Sequence, residues 1–430
     1  MDAATTDTMR GRLRSFPRLL PGGAVIALLL AACGGGSSSS SGTKPTGPVT
    51  MGVLSCFTGT LASLGQAMLQ GSQVAQKAIN SAGGILGQNL DLQHADTQCD
   101  EADSVPALRK LLATSNLAAI IGPETQEIAA DAPIIASAKV HDEFQGGSTL
   151  FDHNSNPWLW RDSPSDSQLS VAMALYAHQK GYKSAALLFY SDIAAQTFAA
   201  PLKATYTKLG DTIVSDITVA PDQTSYRTQV QQIIAAKPDV IFTQTDAATA
   251  SVIFKNFKEL DNLAIPFVGT DVTGGDDYLK AVTYPVAHDH LISVYGTSVS
   301  GQAADEFNKQ FAAVFGSSQQ PLANANYAYD AVIGVALAAD QAGSIAGADI
   351  NANMKKATNP PGTACYTYAA CQTMIKAGTK VNYEGASGDL NFNQYNNVFG
   401  PYGAFQVDAS SGQENQVQVL TAPDLAAATP

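Results

Sequence analysis

The feature that most constrains this chain is a rhythm: from residue 49 onward, short apolar runs alternate with longer segments whose apolar residues recur three and four apart. A short apolar run between polar turns suits a strand, and the three-four spacing suits a helix with one buried stripe. The first strand is VTMGVLS (49–55). A helix follows over about 64–82, where Leu64, Met68, Gly71, Ala75, Ala78 and Ile79 recur at helical spacing and Gly83-Gly84 ends it. Next come a strand near 89–97, a helix near 102–115, the strand LAAIIG (117–122), a helix near 126–138 and a strand at about 141–146. The order βαβαβαβ implies an α/β fold with a parallel, doubly wound sheet, because right-handed crossovers lay each helix on the sheet between neighbouring strands.

A connection rich in Trp and Pro, PWLWRDSPSDS (157–167), interrupts the rhythm, which then restarts. The second series has strands KSAALLFY (183–190), IVSDITV (213–219), DVIFTQ (239–244), IPFVGT (265–270) and HLISVYG (290–296). Two series joined by a crossover predict two similar lobes, and 430 residues exceed what one core usually serves. Two long helices follow, at about 301–315 and 325–342, and then a Gly/Asn-rich stretch, 385–408, that reads as a hairpin.

The N-terminus is of a different kind. Arg10, Arg12, Arg14 and Arg18 precede the apolar run AVIALLLAA (24–32), which is too short to span a bilayer stably and reads as a signal peptide, 1–32. Leu30-Ala31-Ala32-Cys33 resembles a bacterial lipobox, in which the Cys33 thiol receives a diacylglycerol and becomes the mature N-terminus. Residues 33–47, rich in Gly and Ser, form a flexible tether. After Cys33 no apolar run is long enough to cross a membrane, so the expected membrane contact is the anchor alone, with the protein extracytoplasmic. Loss of residues 1–32, with four Arg and two Asp, shifts the net charge from −13 to −15. That balance argues against nucleic-acid binding, which needs clustered cations.

Four cysteines remain beside Cys33, and an even number in an exported chain favours disulfides. Three pairings are possible. Cys56 follows the first strand and Cys99 the second, and neighbouring strands of a doubly wound sheet end at one edge, which favours Cys56 with Cys99 and Cys365 with Cys371. The larger loop would contribute roughly 4 kcal/mol in the chain-entropy model. Signatures of catalysis are missing: no GxSxG, Walker loop, GxGxxG, HExxH or CxxC occurs, and the six His are scattered, with His288 and His290 assigned to a turn. The expectation is a protein that is not an enzyme and carries no cofactor or metal.

Seven segments, in order, resemble one known family: GVLSCFTGTLASLGQAMLQG (52–71), AINSAGGILGQNLDLQHADTQCD (78–100), AAIIGPET (118–125), RDSPSDSQ (161–168), KPDVIFTQTDAATA (237–250), IPFVGTD (265–271) and YAYDAVIGVALA (327–338). This is the type I periplasmic-binding fold, in particular the branched-chain amino acid (Leu/Ile/Val) and amide receptors of ATP-driven ABC importers. The resemblance implies two lobes joined by three crossings, 48–162 with 298–380 and 163–297 with 381–425. It also implies a monomer that closes on a small polar ligand and passes it to permease subunits. A ligand-sensing ectodomain is the alternative role, and a small hydroxylated compound the alternative ligand.

Site residues follow position by position. In the loop Gly122-Pro123-Glu124-Thr125-Gln126, Gln126 stands where the family has a hydroxyl residue, and its amide can donate. Gly146-Gly147-Ser148-Thr149 replaces a Ser-Ala-Thr-like turn, so Gly147 by its backbone and Ser148 by its hydroxyl are expected at the ligand. Tyr190 lies a few residues before Ala194, near the family's stacking Tyr; Asp246 stands where an aromatic is common; and Asp271 matches the acid that pairs with a ligand ammonium. The alternative reading makes Glu124 and Asp246 helix-capping or first-turn acids, and Tyr190 and Phe144 packing aromatics.

Overall fold

The computed structural model describes residues 42–430 except 60 and 298–300. The signal sequence, Cys33 and the tether up to residue 41 lie outside the described residues. The first series runs β1 (Val49–Ser55), α1 (Ala62–Ser81), β2 (Leu90–Asp96), α2 (Glu101–Leu112), β3 (Leu117–Ile121), α3 (Ile128–Ala138), β4 (His141–Glu143) and β5 (Leu159–Trp160). The second runs α4 (Asp166–Gln179), β6 (Ser184–Tyr190), α5 (Ile193–Thr197), α6 (Ala199–Lys208), β7 (Thr212–Val219), α7 (Arg227–Ala236), β8 (Val240–Gln244), α8 (Ala247–Glu259), β9 (Phe267–Gly269), α9 (Asp276–Val282), α10 (Tyr284–His290) and β10 (Leu291–Gly296). The remainder is α11 (Gln302–Phe315), α12 (Ala325–Ala342), α13 (Gly347–Thr358), β11 (Thr363–Cys365), α14 (Tyr368–Lys376), β12 (Val381–Tyr383), β13 (Tyr402–Val407), β14 (Glu414–Leu420) and α15 (Ala422–Ala428).

Two parallel sheets result, with the same winding. The first has order β2-β1-β3-β4-β5; in the second, β7-β6-β8-β9-β10 repeats that order, and the antiparallel pair β13–β14 extends its far edge. Helices cover both faces of each, so a strand such as β1 is buried along its whole length, as an all-apolar run requires. The fold is therefore α/β, two doubly wound lobes as the alternation implied, with the three crossings that the family resemblance implied.

Three details differ from the sequence reading. The hairpin pairs β13, at the end of the Gly/Asn-rich stretch, with β14 beyond it, and the earlier part of the stretch serves as the last crossing. Residues 381–398 were expected with the second lobe, yet Val381, Tyr383, Leu390, Phe392 and Val398 are buried in the first core, where β12 pairs with β11. His288 and His290 end helix α10 rather than occupying a turn.

The crossings run side by side. Arg161 donates its backbone N–H to Asn396 (2.9 Å) and accepts from Val398 (3.1 Å), while Thr297 donates to Pro401 (3.1 Å). The Arg161 side chain is 1% exposed. Its guanidinium donates to Asn397 Oδ1 (3.1 Å), the Ser148 carbonyl (3.0 Å) and Asp152 (2.6 Å), so a buried cation is paired and hydrogen-bonded throughout. The chain also joins Cys56 to Cys99 and Cys365 to Cys371, with Cα separations of 5.0 and 5.4 Å.

Helices α1 and α12 approach closely enough to exclude a side chain. A Cβ on Gly71 would lie 1.9 Å from the Ala325 carbonyl oxygen and 2.9 Å from the Tyr329 nitrogen, both backbone atoms that cannot swing aside. Gly71→Ala should therefore cost about 1–3 kcal/mol or more through overpacking. Urea unfolding reads this as a lower midpoint at unchanged slope. An unchanged midpoint would mean that the helix pair is looser than described.

Candidate functional site

In a parallel sheet every strand ends, and every following helix begins, at one edge. The two sheets turn these edges toward each other, and between them lies a cavity of about 180 Å³. The first lobe contributes Leu61 and Leu64 at the start of α1, Glu124, Thr125 and Gln126 after β3, Gln145 and Gly147 after β4, and Asn324 and Tyr327 at the start of α12. The second contributes Asp166 of α4, Tyr190 and Asp192 after β6, Gln244 to Asp246 at the end of β8, Asp271 after β9, Tyr295 of β10 and Tyr402 of β13.

Local structure aims these groups. Gly122 has φ +103, and a Cβ there would sit 1.9 Å from the Leu54 carbonyl, so only glycine makes the turn that brings Glu124 to the cleft. Asp246 caps α8, accepting from the Thr249 backbone N–H (2.7 Å), and Tyr190 hydrogen-bonds to it. Asp192 caps α5 through the Ala195 N–H (2.6 Å). Asp166, the first residue of α4, accepts from the Thr197 hydroxyl (2.5 Å), and its backbone N–H donates to the Gly147 carbonyl (2.8 Å) across the cleft. Asn324 hydrogen-bonds to Asp271, again across the cleft. Tyr295 stacks on Phe405, centroids 4.0 Å apart at 3°, and donates to Glu414 (2.8 Å), which fixes its ring.

Of the residues expected at the ligand, Gln126, Gly147, Tyr190, Asp246 and Asp271 line this cavity. Ser148 does not. It is 2% exposed, and its hydroxyl accepts from the Leu150 N–H to cap the turn Thr149–Phe151. Phe144 is buried against Phe151 and Arg161, a packing residue. Asp246 fits both readings, as helix cap and as cavity wall. Tyr327, Tyr295, Tyr402 and Asp166 were missed: three are aromatics indistinguishable from core residues in sequence, and Asp166 reads as an ordinary first-turn acid. The available signal was position, since Asp166 lies in the matching segment 161–168 and Tyr327 opens the matching segment 327–338.

The electrostatics are one-sided. Among the described residues lining the cavity there is no Lys or Arg, and five are carboxylates. Burial pushes the Glu124 carboxyl up to about 8, with repulsion from Glu127 and Asp271 added and only the Ser55 hydroxyl opposing. Burial also pushes Asp166 up to about 7; the Thr197 hydrogen bond and the Arg161 charge oppose, while Asp271 and Asp152 add repulsion. Asp271 is likewise raised by burial. Outside the cavity, buried Glu143 and Asp162 have oxygens without a hydrogen-bond partner, and burial holds both carboxyls well above the usual range.

With this geometry in view, comparisons with known proteins agree. The fold is that of type I periplasmic binding proteins. It matches a branched-chain amino acid transporter substrate-binding protein of Streptococcus pneumoniae, solved with isoleucine, at TM-score 0.72 and 21% identity, over 87% of this chain and 99% of that one. A Rhodopseudomonas palustris solute-binding protein solved with benzoate matches at TM-score 0.70 and 17% identity, over 87% and 97%. In sequence, an amino acid binding protein of Pseudomonas aeruginosa is 24% identical over 275 residues, 60% of this chain and 72% of the relative. A Leu/Ile/Val-binding protein of Rhizobium johnstonii is 24% identical over 257 residues, 54% and 67%. The periplasmic binding protein family model matches residues 48–413, and the chain belongs to that family. Family and fold are those of solute-binding proteins, which are not enzymes.

The raised carboxyls give stability a direction with pH. Glu124 and Asp166 keep protons in the folded state after the unfolded chain, with ordinary values of about 4, has lost them. Their contribution is complete below pH about 4 and is lost as pH rises through 7 and 8. The ligand-free melting temperature should fall from pH 5 to pH 8, and Glu124→Gln should flatten part of that fall. A melting temperature that climbs over the window would contradict the placement of these acids.

Proposed function

We propose that this chain is the extracytoplasmic, lipid-anchored solute-binding component of an ATP-driven importer. Its two lobes, about 48–161 with 301–398 and 163–297 with 401–425, close on a small polar ligand and present it to membrane permease subunits. The observation that carries the reading is the cavity between two sheet edges, lined by polar groups from both lobes. Such a site binds by closure and needs no reacting group.

The ligand in this reading is an amino acid or an amine- or amide-like compound. Asp271 pairs with its nitrogen, and Gln126 with the backbone at Gly147 holds its polar opposite end. Tyr190 and Asp246 complete the second wall. Ser148, engaged as a turn cap, is left out of this set.

Thermal-shift screening of amino acids, amides and amines tests the reading, since a ligand at 100-fold over its Kd adds about 2.7 kcal/mol to folded-state stability. Asp271→Asn should weaken the ligand so found by about 2–5 kcal/mol, the range for removing a desolvated charge partner. Stabilisation by aromatic acids or dicarboxylates alone would refute it. For the anchor, Cys33→Ser should move the protein from the membrane to the soluble fraction, and an unmodified native N-terminus elsewhere, by intact mass, would refute that part.

A further inference from the structure

We infer that the cleft takes an organic cation carrying no carboxylate, and that the class its walls fit is a short alkyl diamine. The inference rests on the reading that the cavity is the ligand site and narrows the chemistry of what enters it.

A zwitterion needs a place for its anionic end. In a doubly wound fold that place is a helix N-terminus, where free N–H groups and the positive end of the helix dipole face the cleft. Here those ends face acids of the chain itself. Asp166 opens α4, Asp192 caps α5 and Asp246 caps α8, each lining the cavity, and Glu124 lies one turn before α3. A ligand carboxylate would meet an acid at each of these four ends, while α1 and α12 open on the cavity with the uncharged Leu61 and Asn324.

No Lys or Arg among the described residues lines the cavity, and the one charge that acts on these acids from behind the wall is Arg161 on Asp166. The nearest guanidinium, Arg161, is 1% exposed and held by Asp152, Asn397 and the Ser148 carbonyl. The cavity walls therefore hold five carboxyls and no cation among the described residues; burial keeps Glu124 and Asp166 from ionising freely in the empty cleft, and a cationic ligand would favour their charged forms and pair with them.

The acids fall into two groups. Asp271 repels both Glu124 and Asp166, which places these three together between the lobes. Asp246 repels Asp192 and shares a hydrogen bond with Tyr190, which places those at the end of β6 and β8. Two acidic groups in one small cavity suit two cationic nitrogens joined by a short apolar chain. Leu61 and Leu64, with the faces of Tyr295 and Tyr402, supply the surface for that chain, and tyrosine faces attract ammonium as well.

Independent of the acids, the cavity holds a polar atom with nothing to bind. Tyr327 is 4% exposed and its hydroxyl has no hydrogen-bond partner. A Cβ on Gly296 would come within 1.9 Å of the Tyr327 hydroxyl, so the glycine leaves that oxygen its room beside the cavity. A neutral hydroxyl that accepts a hydrogen bond from an ammonium, without adding charge, completes such a site.

Isothermal titration of the full mature protein, unfolded and refolded to strip any carried ligand, decides the matter with four probes: 1,4-diaminobutane, 1-aminobutane, leucine and benzoate. The expected result is tightest binding of the diamine, at least tenfold weaker binding of the monoamine, and none of benzoate. Asp271→Asn and Asp246→Asn, the second retaining a capping side chain, should each weaken the diamine at least tenfold and so bring it toward the monoamine. Melting of the ligand-free variants checks that both fold. Leucine binding without diamine binding overturns the inference and leaves the proposed function standing. Benzoate binding alone overturns both, whereas binding by none of the four overturns the inference and leaves the proposed function to the thermal-shift screen. Diamine affinity equal to that of the monoamine, or unchanged in both variants, overturns the two-group assignment.

Discussion

A parallel sheet covered on both faces has one functional edge, and everything about this chain depends on it. Right-handed crossovers send each strand's carboxyl end and each following helix's amino end the same way. Two such sheets, wound in the same order, bring two of these edges together. The cavity is therefore a consequence of winding direction, and its polar lining is drawn mostly from turns, with core residues such as Tyr402 and Leu169 completing the wall.

The same edge sets the charge. Helix amino ends favour acids, and the residues placed there in α4, α5 and α8 are Asp. Capping and cavity lining thus fall to the same side chains, and Asp246 does both in the structure. Local helix stabilisation and the sign of the ligand site are one choice of residues.

The crossings solve a different problem, connecting two rigid cores while leaving their edges free to approach. The first and last crossings lie side by side and share backbone hydrogen bonds at Arg161, Thr297 bonds to Pro401 where the middle one begins, and the Arg161 side chain pins the first to Asp152, Asn397 and the Ser148 carbonyl. Truncating Arg161 would strand Asp152 in partly buried surroundings, while replacing it by a lysine would lose the planar fork that reaches three acceptors at once. Beyond the cavity wall, the Cys56–Cys99 link lies against the start of α1. A Cβ on Gly65 would meet the Cys56 carbonyl oxygen at 2.1 Å, so the segment bearing Leu61 and Leu64 is held close to that bridge.

Much of this was legible before any coordinates. Periodicity alone placed β1 over 49–55 and α12 over 325–342, since long apolar patterns leave little freedom in element type. The acids Asp246 and Asp271 were visible through the family resemblance of segments 237–250 and 265–271, which place them just after strands. What periodicity could not supply was pairing. Residues 381–398 joined the first core rather than the second, because their apolar side chains fill space beside α12 and α13 that no local pattern describes. Ser148 turned its hydroxyl to its own turn, a competition between local capping and the cleft that sequence spacing leaves open. Tyr327, Tyr295 and Tyr402 reach the cavity from segments far apart in the chain. The sequence by itself determined the elements, their order and the fold class, because those follow from local periodicity and chain handedness. Only the tertiary structure decided which side chains share the cavity, because that depends on how two separately wound sheets are brought edge to edge.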